Sequence, residues 1–215
     1  PNLAGQRVRI NGELAGRAFY LASQGQTISF NEVSPNFINI ARNEDENVAT
    51  FEISGFVFTP LVERADKEDN IVSYDLEVGQ ANYSGEKMQL LRFNIEPSAK
   101  NIISSVREHY TKHSTIRFNG VIHYTPITET KTEEVEFGDP ITKTFTSVRK
   151  QYLITGGKSP ILTGEAYTAE QIEKLTNSYK EFLLSVEENA KNSVEAGETV
   201  STPKEAKKSN VDSLI

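Results

Sequence analysis

The chain of 215 residues carries 23 basic and 30 acidic side chains, a formal net charge of −7, and no cysteine. This composition argues against a protein that binds polyanions through overall charge, and it excludes disulfides, thiolate metal sites and a cysteine nucleophile. The chain has no run of eighteen apolar residues and no basic segment followed by an apolar core. We therefore expect a soluble, unexported protein that does not enter a membrane.

The N-terminal segment, residues 1–47, predicts a β meander packed on the rest of the protein. Short β-like runs between residues 7 and 41 are separated by turn signals at Asn11-Gly12, Gly16, Gly25 and Ser34-Pro35. Two arrangements fit this pattern. The runs form either a small separate sheet or extra strands at the edge of a larger one.

Residues 48–124 predict three strands, a short helix and a fourth strand. Apolar and polar residues alternate along Val48–Val62, Ile71–Val78, Met88–Ile95 and Thr115–Tyr124. Between the third and fourth strands, the helical spacing of Ile102, Val106 and Tyr110 predicts a helix with Ser98 as its N-cap.

The next segment, Thr125–Ile154, predicts a long hairpin. Two threonine-rich runs flank a turn at Gly138-Asp139-Pro140, and the second run supplies a closing fifth strand. A mainly β fold follows. Residues 48–163 are expected to form a five-stranded oligonucleotide-binding (OB) barrel with the hairpin as an extension.

Residues 164–215 change in character. A capping-box pattern at Thr168–Gln171 and an apolar stripe from Ile172 to Val186 predict an amphipathic helix over residues 164–190. That stripe packs either on the barrel or on a partner. Residues 191–215 are rich in Ser, Thr, Glu and Lys, and we expect them to be disordered.

An OB barrel holds single strands with exposed aromatic rings for the bases and with Lys or Arg for the phosphates. Phe56 and Phe58 lie on the face opposite Ile53 and Val57, where polar residues are expected. Both rings are either exposed or buried under the N-terminal segment or the C-terminal helix. Outward positions of other strands add Arg92, Asn94, Arg117, Asn119, His123, Arg149 and Gln151. We predict that these nine residues form a nucleic-acid-binding surface.

The order of ATFEISGFV, IVSYDLEV, QLLRFNI, NIISSVREHY and TIRFNGVIHY resembles the single-stranded DNA-binding proteins of bacteria and their phages. QLLRFNI takes the place of that family's third strand and IRFNGVIHY that of its fourth. The chain ends in VDSLI, with a single acid, where the bacterial proteins have an acidic tail. Together with the extra N-terminal segment and the long hairpin, this is more similar to a phage version.

The resemblance implies a protein that coats exposed single-stranded DNA with little sequence preference during replication, recombination or repair. It also implies a cytoplasmic location, in the host cell if the protein is viral. Replication or recombination proteins would bind its C-terminal helix or tail. Self-association through the long hairpin or that helix stays open.

Catalytic signatures are absent from the sequence. GxSxG, GxxxxGK[ST] and GxGxxG do not occur, and His109 and His113 lack the acid and third ligand of a zinc helix. We therefore predict no enzymatic activity, no cofactor and no metal. Two alternatives remain, a β-barrel interaction module of a virion or assembly, and a barrel that binds RNA.

Overall fold

The computed structural model describes residues 5–133 and 141–195. The N-terminal segment forms strands β1 (Val8–Leu21) and β2 (Gln26–Ile40). Three further strands follow, β3 (Thr50–Ala65), β4 (Ile71–Ala81) and β5 (Met88–Ile95). The remaining elements are α1 (Lys100–His109), β6 (Thr115–Glu133), β7 (Ile141–Gly157) and α2 (Ala169–Glu195). The turn predicted at Gly138–Pro140 lies outside the described residues.

Strands β3 to β7 form a closed barrel in the order β3-β4-β5-β7-β6, with β6 paired to β3. All neighbours are antiparallel except β5 and β7, which are parallel and meet at the Asn94–Leu153 pair. The prediction of a mainly β protein with an OB-like five-stranded barrel is confirmed.

The barrel core is built from the inward positions of the alternating strands. Three phenylalanines form its centre, with ring centroids of Phe93 and Phe118 4.8 Å apart and those of Phe51 and Phe93 5.2 Å apart. The core also contains Ile103 and Val106 of α1 and Tyr110, the residue that follows the helix. The alternation in the sequence therefore identified the inner face correctly, because burial on one side of a sheet imposes a period of two.

Helix α1 begins differently from the prediction. Its N-cap is Ala99, with no side-chain cap, and Ser98 Oγ instead donates to Glu96 Oε2 at 3.4 Å. The prediction of Ser98 as the N-cap is wrong because the helix starts one residue later than the Pro97-Ser98 signal indicated.

The β1–β2 hairpin is a separate two-stranded sheet that packs against β5. The side-chain amide of Asn31 accepts from Arg92 N at 2.9 Å and donates to Arg92 O at 2.7 Å. Tyr152 Oη, from β7, donates to Asn31 O at 3.1 Å. Asn31 thus links β5 to β7, which the described structure joins at a single residue pair.

The same hairpin contributes to the barrel core. Leu14 is buried within it, and Val33, opposite Leu14 in the register, packs against it. Gly16 permits the close approach of β1 to β5, since a Cβ there would lie 2.3 Å from Leu90 O. The hairpin is therefore part of the barrel's packing.

Helix α2 begins with the predicted capping box. Thr168 N donates to Gln171 Oε1 at 2.8 Å, and Gln171 N donates to Thr168 Oγ1 at 3.2 Å. The helix continues to Glu195, so the prediction of disorder from residue 191 is wrong for residues 191–195. Residues 196–215 lie outside the described part.

Among the described residues, no helix combines the length and apolarity that a membrane crossing requires.

Candidate nucleic-acid interface

The two phenylalanines predicted as a stacking surface lie under α2. Phe56 has no exposed surface, and its ring centroid is 5.3 Å from that of Tyr167. Phe58 is partly buried, with its ring 6.2 Å from Tyr179 of α2. Of the two alternatives, burial under the C-terminal helix is the one observed, because the apolar stripe of α2 and these rings cover each other. The two rings therefore do not belong to the predicted nucleic-acid-binding surface.

This packing forms a second core on the outer face of the barrel. Phe56, Met88 and Leu90 pack there with Ile172, Leu175 and Tyr179 of α2. Phe56 lies opposite Gly79 in the β3–β4 register, and a Cβ at Gly79 would come within 2.4 Å of the Phe56 ring. Bases would reach these rings only if the helix moved away.

Arg92 and Asn94, on β5, are held by acids of β4. Arg92 Nε lies 2.9 Å from Glu77 Oε1, and Arg92 Nη1 donates to Ser29 O at 3.1 Å. Asn94 Nδ2 donates to Asp75 Oδ1 at 2.9 Å. A phosphate approaching this surface would meet a neutralised arginine beside two carboxylates, so it offers little to a polyanion.

Arg117 and Asn119 lie on the outer face of β6, beside β3. Arg117 Nε donates to Glu52 Oε1 at 2.7 Å, and Asn119 Nδ2 donates to Thr155 Oγ1 at 3.3 Å. The Arg117–Glu52 pair is exposed, so a competing phosphate could break it at small cost. These two residues nevertheless form no joint surface with Arg92, which contacts the hairpin through Asn31 and Ser29.

The other three predicted residues come together where β6 and β7 extend beyond the barrel. We call this extension, residues 124–133 and 141–150, the arm. At its base His123 lies opposite Gln151, and Arg149 lies opposite Thr125, the next outward position. His123 and Arg149 are exposed. In contrast to Arg92 and Arg117, Arg149 has no ion pair with any residue that the structure describes.

Two neighbours of these residues were missed by the sequence analysis. Tyr124 is 46% exposed, and Lys150, its partner in the register, places Nζ 5.9 Å from the Tyr124 ring centroid. Lys150 also has no carboxylate partner within residues 5–133 and 141–195. We call His123, Tyr124, Arg149, Lys150 and Gln151 the arm-base cluster.

The sequence did contain a signal for the two missed residues. Tyr124 and Lys150 fall on the same alternation as the core residues of β6 and β7, which is why they are not among the outward positions predicted from the sequence. A lysine directly opposite a tyrosine on a supposed core face indicates that the barrel has already ended there, since unpaired lysines are almost never buried.

Tyr152 connects the arm base to the buried interior. Burial, and to a smaller extent the nearby Tyr124 and Glu32, raise its pKa to about 12. The phenol therefore stays protonated as the donor to Asn31 O.

Two cavities of the described molecule lie away from the arm-base cluster. Spaces of about 470 and 370 Å³ both border α1, and none of the nine predicted residues lines either of them. Within the described residues, no three His, Asp or Glu side chains are grouped so that they could hold a metal ion. The arm-base cluster is an open surface, which suits an extended polymer better than a small molecule.

Comparison with known proteins gives a family. Residues 3–190 match the family model named YorF, which is most of the chain. The chain belongs to the YorF family. No match was found among curated proteins. The name YorF specifies no ligand, so membership in the family does not by itself indicate what the protein binds.

Proposed function

We propose that this protein binds single-stranded DNA with little sequence preference, through the arm-base cluster of its OB-like barrel. One observation carries the proposal. The exposed ring of Tyr124 lies 5.9 Å from Lys150 Nζ, and Arg149 lies next to Lys150 on the opposite face; neither cation has a carboxylate partner in the described chain. Aromatic rings next to cations are the groups with which proteins hold unpaired nucleotides.

The cluster offers both kinds of contact that an unpaired strand needs. Consecutive residues of a strand point to opposite faces, so Tyr124 and Lys150 lie on one face of the arm and His123, Arg149 and Gln151 on the other. A strand that crosses the edge of the arm would stack a base on Tyr124. Its flanking phosphates would contact Lys150 on one face and Arg149 on the other.

The charge of the molecule limits the strength of this binding. Residues 1–163 contain 17 basic and 20 acidic side chains, so attraction depends on the few unpaired cations and not on the net charge. Because each phosphate contact releases counterions, we expect binding to be strongest at low salt.

The proposed location is the cytoplasm, that of the host if the protein is viral. Replication or recombination proteins remain proposed partners of α2 or the tail.

The test is fluorescence anisotropy with a labelled oligo-dT at low salt. Tyr124→Ala should weaken binding about 5- to 100-fold, since stacking contributes about 1–3 kcal/mol per base. Arg149→Gln should reduce the slope of log affinity against log salt by about 0.7. Arg117→Gln is the matched control, because Arg117 lies outside the arm-base cluster and is paired with Glu52, and its binding should change least.

Two outcomes would contradict the proposal. One is the absence of wild-type binding at about 10 µM protein in low salt. The other is equal loss in the Arg149 and Arg117 variants, which would mean that the cluster has no special role.

Competition by oligo-U tests the RNA alternative, since stacking surfaces accept either sugar. A protein-binding barrel is the second candidate, favoured by apolar residues exposed on the N-terminal hairpin.

A further inference from the structure

The smaller of the two cavities that border α1 lies against the end of β7, and we call it the α1–β7 cleft. Its volume is about 370 Å³. Its floor is apolar and consists of Ile102 and Val106 of α1 and Ile154 of β7. Ligand pockets measure about 300–1,000 Å³ and combine apolar walls with a few polar groups. The cleft therefore has the size and the floor of a site for a small molecule.

One wall of the cleft is the run Gly156-Gly157-Lys158-Ser159. Beyond Leu153, no described strand pairs with β7 on the edge that faces away from β6. Lys158 N donates to Arg117 O of β6 at 2.9 Å. Because consecutive N–H groups of a strand point to opposite edges, the N–H of Gly157 points into the cleft. The two glycines also leave this backbone uncovered, so a ligand can approach it closely.

Side chains of both walls add further hydrogen-bond donors. Ser105 and His109, four residues apart on α1, line the side opposite Lys158 and Ser159. No residue that lines the cleft is acidic. Glu108, whose carboxylate lies 3.9 Å from His109 Nε2, lines the other cavity. Lys158 has no carboxylate partner in the part of the chain that the structure describes, so its charge is available to an anion.

We propose that the α1–β7 cleft binds the phosphate group of a small phosphate monoester. A lysine, hydroxyl groups and an uncovered backbone N–H are donors with which proteins hold phosphate, and this cleft supplies all three. The apolar floor contacts the organic part of the ligand, and the volume limits that ligand to about the size of a mononucleotide. The run differs from the phosphate-loop signature, because Tyr152 stands where that signature has its first glycine.

The cleft is separate from the arm-base cluster. Lys158 follows Gln151 of that cluster by seven positions of the chain, which is roughly 20 Å at about 3.3 Å per residue. The cleft also contains no exposed aromatic ring on which a base could stack. Phosphate binding in the cleft is therefore independent of the proposed binding of single-stranded DNA, and either can fail without the other.

Amide NMR shifts of the full chain, titrated with thymidine 5′-monophosphate, test the proposal. The amides of Gly156, Gly157 and Lys158 should shift with a dissociation constant on the order of 1 mM. Thymidine lacks the phosphate and should bind the cleft about 10- to 100-fold more weakly, because the charge-assisted hydrogen bonds are lost. Inorganic phosphate should compete for the same shifts.

Two pairs of variants test which residues hold the phosphate. Ser105→Glu places a carboxylate in the cleft, where it pairs with Lys158 and repels phosphate, and affinity should fall about 10- to 100-fold. Ser104→Glu is the matched control, since Ser104 is the neighbouring exposed residue of α1 and lines the other cavity. Lys158→Gln should weaken binding similarly. Lys112→Gln should not, because Lys112 is exposed and lines neither cavity.

Three results would overturn the proposal. The first is the absence of shifts at residues 156–158 up to about 10 mM thymidine 5′-monophosphate. The second is equal affinity for thymidine, and the third is equal weakening in the Ser104 and Ser105 variants. Competition by a 5′-phosphorylated dT tetramer, but not by the unphosphorylated one, would identify the end of a DNA strand as the source of the phosphate monoester. Without that competition the ligand is a free small molecule.

Discussion

The hydroxyl of Tyr152 is one of the groups that join the barrel to the N-terminal hairpin, through its bond to Asn31 O. Its pKa is raised from 10.0 to about 12, chiefly by burial. The unfolded chain releases this proton at a lower pH than the folded chain does. The stabilisation of the fold by the neutral phenol is therefore complete below about pH 10 and is lost as the pH rises through about 12. The neutral phenol is also the form that donates to Asn31 O.

We expect Tyr152→Phe to unfold more easily at neutral pH, by about 0.5–1.5 kcal/mol, because the bond to Asn31 O is lost. Between about pH 10 and 12 its free energy of unfolding should fall less steeply than that of the wild type. Part of the slope should remain, since burial also raises the pKa of Tyr110 and of Tyr179. Urea titrations followed by circular dichroism measure both effects. Tyr83→Phe, at a fully exposed position, is the control, and equal slopes in all three proteins would refute the assignment.

At the scale of elements, α2 is fixed to the outer face of β3 and β5 by one stripe. Leu175 is 2% exposed and Leu184, on the same helix, is 66% exposed. Leu175→Ala should therefore lower the free energy of unfolding by about 2–5 kcal/mol. Leu184→Ala should change it by less than about 0.5 kcal/mol. Thermal unfolding compares the two, and similar losses would mean that α2 is not held by this face.

The sequence predicted the elements better than their partners. Alternation in Ile71–Val78 and helical spacing in Ile172–Val186 are local signals, and both were confirmed as a strand and a helix. Packing of Phe56 on α2 pairs segments more than a hundred residues apart. Nothing local distinguishes an outward phenylalanine that binds a base from one that a distant helix covers, so the site was predicted only in part.

The arm shows the same limit in the opposite direction. His123, Arg149 and Gln151 were identified from their outward positions, and the β6–β7 register brings them together. Tyr124 was not identified, because the alternation of the core face continues past the end of the barrel. The point at which the barrel ends depends on its other strands, so the sequence of β6 alone does not encode that point.

At the scale of the whole molecule, the hairpin and the barrel share one core and should unfold together. Leu14→Ala should lower the melting temperature by several degrees, from a loss of about 2–4 kcal/mol, and the barrel tyrosines should report the same transition. Ile10→Ala, on the same side of β1 but 49% exposed, should melt close to the wild type. Two separate transitions would show that the hairpin is an independent unit.

The contact between Asn31 and Tyr152 spans 121 positions of the chain. A ribosome adding about 5–20 residues per second needs roughly 6–24 s to cover that interval. Throughout that time the nascent hairpin lacks β7, and its apolar side chains, Leu14 among them, lack the closed barrel core in which Leu14 is buried. Synthesis in the cell thus creates a window in which chaperones, or a neighbouring nascent chain, can reach those side chains first.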